Sequence, residues 1–244
     1  MPRLLAVQHT MSEFLGALEA PLEAGGIGFR YVRTVAGDEV AGTPTQHDAL
    51  WLLGAAHAPA DTERCPWVES EARLVRAFQR AGRPVIGTGA GAQVIAAAMG
   101  ATLREAPGPV ARIATAVAVD EADPLARAVH GRRVLVMHDG SCDVPPGATV
   151  VVADENGRWL AIRTQPPGYG LLFRPELKPG MLEDMAMEDD RPLTEAFGDF
   201  VRDVREAWPE LEESARRAAG ALIAALGLMD ERAKPRVIPI AGGR

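Results

Sequence analysis

Hydrophobic runs alternate with amphipathic stretches in the first hundred residues of the chain. Four runs have the length and composition of buried β-strands: 4–7, 29–33, 49–53 and 84–88. Three stretches between or after them predict helices: 13–24, 67–80 and 93–99. Because strands alternate with helices in this way, we expect a parallel sheet that is covered by helices.

The pattern changes after Gly100, where strands follow one another with little helix between them. The predicted strands are 112–119, 133–137, 149–153, 159–163 and 170–173. The Asn156-Gly157 pair favours a tight hairpin between two of these strands. This part of the chain is therefore expected to complete a mixed sheet.

The last part of the chain is predominantly helical in pattern. Residues 194–208 and 210–226 predict two helices separated at Pro209. The preceding segment 178–192 is rich in Met, Asp and Glu, and predicts a solvated connector or a mobile lid. We expect one domain over residues 1–230, with its helical part at 193–228, and a flexible tail at 231–244.

Composition and charge narrow the possible functions. The 244 residues are 47% hydrophobic, and their formal net charge of −7 gives no basic surface for nucleic acid or an anionic membrane. Cys65 and Cys142 are the two cysteines, too few for a disulfide framework and too far apart for a metal knuckle. We find no signal peptide and no apolar run of membrane-spanning length. A cytoplasmic protein without a metal or cofactor is therefore expected.

The most informative segment is Pro84-Val-Ile-Gly-Thr-Gly-Ala-Gly-Ala-Gln93, in which a strand turns through glycines into a helix. Such a corner can hold a nucleophile above a sheet, next to backbone N–H groups that stabilise an oxyanion. It resembles the Pro-Val-Leu-Gly-Ile-Cys-Leu-Gly-Ala-Gln motif of class I glutamine amidotransferases. That family releases ammonia from glutamine through a Cys-His-Glu triad. In this resemblance, Gly89 stands at the cysteine position and Gln93 is retained.

Other segments carry the same resemblance over residues 3–180. Residues 48–56 are similar to the family's strand and oxyanion loop, 138–147 to its His-Gly-Asp-Thr-Phe-Asp-Leu-Pro-Pro-Gly, and 170–176 to its Gly-Leu-Gln-Phe-His-Pro-Glu. The resemblance implies a flavodoxin-like three-layer α/β sandwich with a mixed, mainly parallel central sheet. The candidate site residues in and beside these segments are Gly54, Ala55, His57, Gly89, Ala90, Gln93, His138, Asp139, Cys142, Arg174 and Glu176.

The departures from the family remove its chemistry. Gly89 replaces the nucleophile and Arg174 replaces the base, so only the orienting acid, Glu176, remains. Glycine has no side chain to attack a carbonyl, and an arginine cannot accept a proton from a thiol. Val110 replaces a glutamate that shapes the family's substrate site, and the oxyanion loop has lost one glycine at Ala55. We expect a protein without glutaminase activity that binds a small ligand or a separate synthase partner, with a homo-oligomer as a further alternative.

Three alternatives stay open. In the first, His138, Asp139, Cys142, Arg174 and Glu176 form a rebuilt site for amide or acyl transfer or hydrolysis. In the second, Gly87–Ala92 bind a nucleotide, since Gly87-Thr-Gly89-Ala-Gly91-Ala92 fits a dinucleotide fingerprint.

The third concerns Arg174 and its surroundings. Arg174 and Glu176 either form an ion pair that fills the space of the lost triad, or Arg174, with His138 and the free N–H groups around Gly89, binds a carboxylate, such as an amino acid, or a phosphate. His57 either faces the same cleft or is a surface-loop histidine. Cys142 either pairs with His138 in the cleft or is a buried, inert thiol.

Overall fold

A computed structural model describes residues 3–38, 40, 43–106, 108–191 and 194–229. The tail at 231–244, predicted to be flexible, lies outside the described residues. The described strands are β1 (Arg3–Gln8), β2 (Gly28–Arg33), β3 (Ala49–Leu52), β4 (Val85–Thr88), β5 (Leu103–Arg104), β6 (Val110–Thr115), β7 (Val117–Ala118), β8 (Arg133–His138), β9 (Ser141–Cys142), β10 (Thr149–Ala153), β11 (Trp159–Thr164) and β12 (Gly168–Leu171). The described helices are α1 (Glu19–Ala24), α2 (Val68–Arg80), α3 (Ala90–Ala98), α4 (Pro124–Val129), α5 (Pro179–Glu188) and α6 (Glu195–Ala225).

A mixed sheet forms the centre of the described structure. Its eight described strands have the order β2-β1-β3-β4-β12-β11-β10-β7. The pairs from β2 to β12 are parallel, and those from β12 to β7 are antiparallel. The mixed, mainly parallel sheet predicted from the sequence is therefore confirmed.

Helices cover both faces of this sheet, because its strands bury apolar side chains on both sides, as β1 illustrates. Its side chains alternate, so that Leu4 and Ala6 belong to one core cluster and Leu5 and Val7 to another. The first cluster contains residues of α1, α4 and α6, and the second contains residues of α2 and α3. The sandwich consequently has three layers.

The pairing of β4 with β12 positions the candidate site. These strands run parallel, with Gly87 opposite Gly170 and Thr88 opposite Leu171. Gly89 then donates its backbone N–H to the Leu171 carbonyl at 2.9 Å. Because the carboxyl ends of parallel strands share one edge, the segment that follows β12 lies against the corner after β4.

The β-rich half differs from the prediction in one respect. The predicted strand 112–119 consists of β6 and β7, which have different partners. β6 pairs with β8 in a separate two-stranded sheet, whereas β7 pairs with β10 in the main sheet. Ala116 lies at the change of partner, where its N–H donates to the Arg132 carbonyl.

The predicted helix 13–24 is shorter than expected. It consists of a short 3₁₀ helix, Gly16–Leu18, followed by α1. Gly16 has φ +48°, and a Cβ there would overlap the Glu176 carbonyl. The backbone at Glu176 therefore approaches position 16 so closely that only glycine fits there.

The prediction that residues 178–192 form a solvated connector was wrong for most of the segment. Residues Pro179–Glu188 form helix α5, with Pro179 in its first turn. Met181 and Leu182 are buried against residues of α6. The acidic side chains concealed this apolar stripe from the sequence pattern.

Helix α6 is continuous through Pro209, contrary to the predicted break. A proline inside a helix costs about 3 kcal/mol because a hydrogen bond is lost. Ala207 and Leu211, on either side of it, are buried in the core. The long apolar face of α6 outweighs the local preference to stop. Among the described residues, no helix combines the length and the apolar character that a membrane crossing requires.

Candidate functional site

The corner after β4 has the shape of a strained strand-to-helix turn. Gly89 has φ +56° and ψ −116°, a conformation that residues with a side chain rarely adopt. A Cβ on Gly91 would overlap the Leu52 carbonyl, and one on Gly87 would overlap Gly91. These glycines allow α3 to pack closely against β3 and β4.

Arg174 fills the space beside Gly89. Its side chain is 2% exposed, and a Cβ on Gly89 would stand 3.0 Å from the Arg174 Nη1. A Cβ on Gly54, in the loop after β3, would overlap the same guanidinium group. The guanidinium therefore occupies the place toward which a side chain at position 89 would project.

Two buried carboxylates hold the Arg174 guanidinium there. Nε donates to Glu176 Oε1 at 2.5 Å, and Nη2 donates to Glu13 Oε1 at 2.8 Å. Nη1 donates to the Met137 carbonyl at 3.4 Å. Burial alone would lower the pKa of Arg174, but Glu176 and Glu13 outweigh it and raise the pKa above its usual value. Of the two interpretations of Arg174, the ion pair that fills the triad space is the one observed.

Glu13 was missed by the sequence analysis. It lies in the turn after β1, where Thr10 Oγ1 donates to its carboxylate at 3.0 Å and accepts its backbone N–H at 3.1 Å. Its partner Arg174 is 161 positions away along the chain. Apart from its early position in a predicted helix, no sequence signal marks Glu13.

His9 is a second missed residue. Its Nδ1 lies 2.8 Å from the Gly54 carbonyl and its Nε2 lies 2.8 Å from Glu71 Oε1, while the ring stacks on Trp67. Burial lowers the pKa of His9, but the Glu71 charge and hydrogen bond outweigh this effect and raise it. A protonated ring can donate to both acceptors, so His9 fixes the oxyanion-like loop at Gly54.

A cavity of about 210 Å³ lies next to Arg174. Ala111, Met137, Met185 and Phe197 contribute to its largely apolar wall. The end of α5 and the segment after it form one side. Polar groups at the wall include Thr10, Ser12, Glu13, His138, Asp139, Glu188, Asp189, Arg191 and Thr194.

The segment Glu188–Arg191 forms a strap over this side of the cavity. Glu188 accepts the backbone N–H groups of Met11 and Ser12, at 2.7 and 2.9 Å. Arg191 donates to Asp139 Oδ2 at 2.6 Å and to the Ala56 carbonyl at 2.7 Å. The strap thus connects α5 to the loops that follow β1, β3 and β8.

His138 presents a neutral ring to the cavity. Its Nδ1 lies 3.1 Å from the Gly140 carbonyl, so this nitrogen carries the proton. Burial has the largest effect on the pKa of His138 and lowers it. The Gly140 hydrogen bond and the Asp139 charge raise the pKa, the Arg174 and Arg112 charges lower it, and the net pKa lies below its usual value. The free nitrogen, Nε2, is then a hydrogen-bond acceptor.

The structure divides the predicted site residues into two groups. Ala55, His138, Asp139 and Arg174 line the cavity. Other predicted residues lie buried behind it: Gly54, Gly89, Ala90, Gln93 and Glu176. Gln93 Nε2 donates to the Asp139 carbonyl at 2.6 Å and so supports the cavity wall from behind.

Cys142 and His57 lie outside the cavity wall. Cys142 is in β9, opposite Leu103, and burial raises the pKa of its thiol to about 12. It is therefore a protonated thiol, as the inert alternative expects. His57 is half-buried; its Nε2 contacts the Arg64 guanidinium at 3.0 Å and lies 3.7 Å from Asp190 Oδ1.

The glycines of the nucleotide fingerprint are used for packing. Protein atoms fill the space next to each of these glycines. Gly91 lies against Gly87, Arg174 lies against Gly89, and Leu52 lies against Gly91. A pyrophosphate needs open backbone N–H groups at these positions. The interpretation of Gly87–Ala92 as a nucleotide site is not supported by this geometry.

Comparison with known proteins identifies the fold. No family model matches the sequence, and no curated protein matches it either. A glutamine amidotransferase from Thermotoga maritima matches 93% of this chain and 96% of its own, with 22% identity and a TM-score of 0.70. A glutamine amidotransferase from Methylobacillus flagellatus has the same coverage, 21% identity and a TM-score of 0.76.

A third structure, of a Thermoplasma acidophilum protein assigned to a GMP synthase, has 19% identity and a TM-score of 0.57, and covers 86% of this chain and 98% of its own. These identities bear on the fold and not on the activity. Together with the sheet order and the strained corner, they show that the chain has the fold of the class I glutamine amidotransferases.

Proposed function

We propose that this chain is a glutamine amidotransferase-like protein that has lost glutamine hydrolysis and binds a small ligand, alone or as one component of a synthase. One observation carries the proposal. The buried Arg174 guanidinium occupies the space beside Gly89 and is held there by Glu13 and Glu176. A glutamine carboxamide cannot share that space with the guanidinium.

The charges around Arg174 indicate that its guanidinium is a fixed part of the fold. It is buried together with the Glu13 and Glu176 carboxylates, and moving the guanidinium away would leave both carboxylates buried without a cation. Glu176, the acid that would orient a catalytic histidine, now accepts a hydrogen bond from Arg174. Nucleophile, base and orienting acid are therefore all unavailable for a thioester mechanism.

The cavity supports the ligand-binding part of the proposal. It adjoins the corner, it is largely apolar, and the strap Glu188–Arg191 covers one side of it. Pockets that are mostly apolar with a few placed polar groups are typical small-molecule sites.

The synthase-partner form of the proposal derives from the family resemblance and from the fold shared with a protein assigned to a GMP synthase. The two free, buried thiols fit a reducing cytoplasm, where such a pathway would operate.

Ammonia release from glutamine by the purified protein tests the proposal. We expect no release above the spontaneous rate at saturating glutamine, either alone or with a candidate synthase. Cys142→Ala is the control variant, because Cys142 is the thiol that the rebuilt-site alternative would use. Glutamine turnover that is lost in Cys142→Ala would contradict the proposal and would favour the rebuilt site with a relocated thiol.

A further inference from the structure

We propose that the cavity beside Arg174 binds a protonated amine carried on a small apolar body. The proposal rests on the proposed function, since it names the class of ligand for the same cavity. It differs from the carboxylate or amino acid expected from the sequence. The size, the charge and the free hydrogen-bonding group of the cavity each contribute to it.

The volume and the wall define the apolar part of the ligand. A dry apolar cavity of about 150 Å³ accepts benzene. The cavity here has about 210 Å³, and Ala111, Met137, Met185 and Phe197 lie on its wall. It has room for a six-membered ring with a short substituent. Phe197 adds an aromatic face of the kind that attracts cations.

The charges at the wall favour a cation. Four carboxylates and two guanidinium groups line the cavity, a formal excess of two negative charges. Arg191 is shared between Asp139 and Asp189. Glu188 is held by neutral donors, the N–H groups of Met11 and Ser12 and the Ser12 hydroxyl, so its charge is uncompensated among the described contacts.

His138 supplies an acceptor for the ammonium group. Its Nδ1 is engaged with Gly140, and no partner of its Nε2 is found in the described parts of the chain. The ring lines the cavity. The unprotonated nitrogen of a neutral imidazole accepts an N–H hydrogen bond and has no proton to donate to a carboxylate.

An anionic ligand finds no free cation among the described residues of this wall. Each nitrogen of Arg174 is used by Glu176, Glu13 or the Met137 carbonyl. Arg191 is bound by two aspartates and the Ala56 carbonyl. A carboxylate would therefore meet like charges without a compensating partner.

Three probes of similar shape test the proposal on the purified full chain: benzylamine, benzyl alcohol and benzoate. Binding is measured by calorimetry and by the rise in melting temperature. We expect benzylamine to bind, benzyl alcohol to bind at least about tenfold more weakly because it lacks the charge, and benzoate to give no signal. Benzoate binding as tight as that of benzylamine, or no binding of benzylamine, would overturn the proposal.

Two variants locate the binding. Ala111→Phe places a ring inside the cavity and should abolish benzylamine binding, whereas Ala122→Phe, at an exposed position, should leave it unchanged. His138→Leu removes the acceptor and should weaken benzylamine about tenfold, with a smaller effect on benzyl alcohol. Binding that survives Ala111→Phe would place the amine elsewhere and refute the proposal. Because glutamine hydrolysis is measured separately, the amine proposal can fail while the loss of glutaminase activity stands.

Discussion

The corner at Gly89 and the cavity beyond Arg174 lie at the same edge of the sheet, yet their physical character is opposite. At the corner, glycines allow close packing, and buried charges are bonded to one another. In the cavity, space remains, and negative charge exceeds positive charge. The glycine motif at 84–93 therefore serves packing. The cavity is lined in part by the other segments that carry the resemblance, through Ala55, His138 and Asp139.

The largest expected effect of a single change is at the corner. Arg174→Ala leaves Glu13 and Glu176 buried without a cation, and we expect the free energy of unfolding to fall by about 3–5 kcal/mol. Chemical denaturation measures it. Arg216→Ala is the matched control, since Arg216 forms an exposed ion pair with Glu213 and should change little. Equal effects of the two variants would mean that the corner is not the tightly coupled region described here.

The next largest effect compares two glycines with positive φ, one crowded by Arg174 and one in open space. Gly89→Ala adds a Cβ 3.0 Å from Arg174 Nη1 in a disfavoured backbone conformation, and should cost about 2–3 kcal/mol. Gly131→Ala also has positive φ, but open space surrounds its Cβ, so about 1 kcal/mol is expected. Thermal unfolding of both variants provides the comparison. A loss for Gly89→Ala no larger than that for Gly131→Ala would remove the evidence that Arg174 crowds this position.

A smaller effect is expected at the strap. Arg191 is 34% exposed, so its ion pairs contribute at most about 1 kcal/mol after screening by solvent. Arg191→Gln should leave global stability nearly unchanged but accelerate hydrogen exchange in the segment Glu188–Arg191. Arg73→Gln, which removes an exposed ion pair with Glu69 on α2, away from the strap, is the control. Unchanged exchange in Arg191→Gln would mean that Glu188 and the Arg64–Asp190 ion pair hold the strap without Arg191.

The smallest effect concerns two histidines with opposite pKa shifts. The pKa of His9 is raised above 6.5 and that of His138 is lowered below it. His9 therefore stabilises the fold below pH 6.5, and this contribution is lost as the pH rises through its folded pKa. His138 is neutral in the fold, so its contribution is lost as the pH falls below 6.5. Histidine proton resonances followed by NMR should show the pKa of His9 above 6.5 and that of His138 below it. The reverse order would contradict a charged His9 beside Glu71 and a neutral His138 at the cavity.

Short segments of sequence predicted most strands and helices, whereas contacts between residues far apart in the chain were missed. The strand alternation and the Gly89, Arg174 and Glu176 positions follow from short segments of sequence. Glu13 and His9 could not be found this way, because their partners are 161 and 62 positions away. Helix α4 was also missed, although Asp123 caps it and Pro124 begins it, a signal that the sequence does contain.

A crystal structure of the protein soaked in glutamine would show directly whether Arg174 excludes glutamine from the corner. We expect that the Arg174 guanidinium stays beside Gly89, bonded to Glu13 and Glu176, and that no glutamine occupies the corner. A structure in which Arg174 has moved away and a glutamine carboxamide lies against the Gly89 backbone would contradict this expectation.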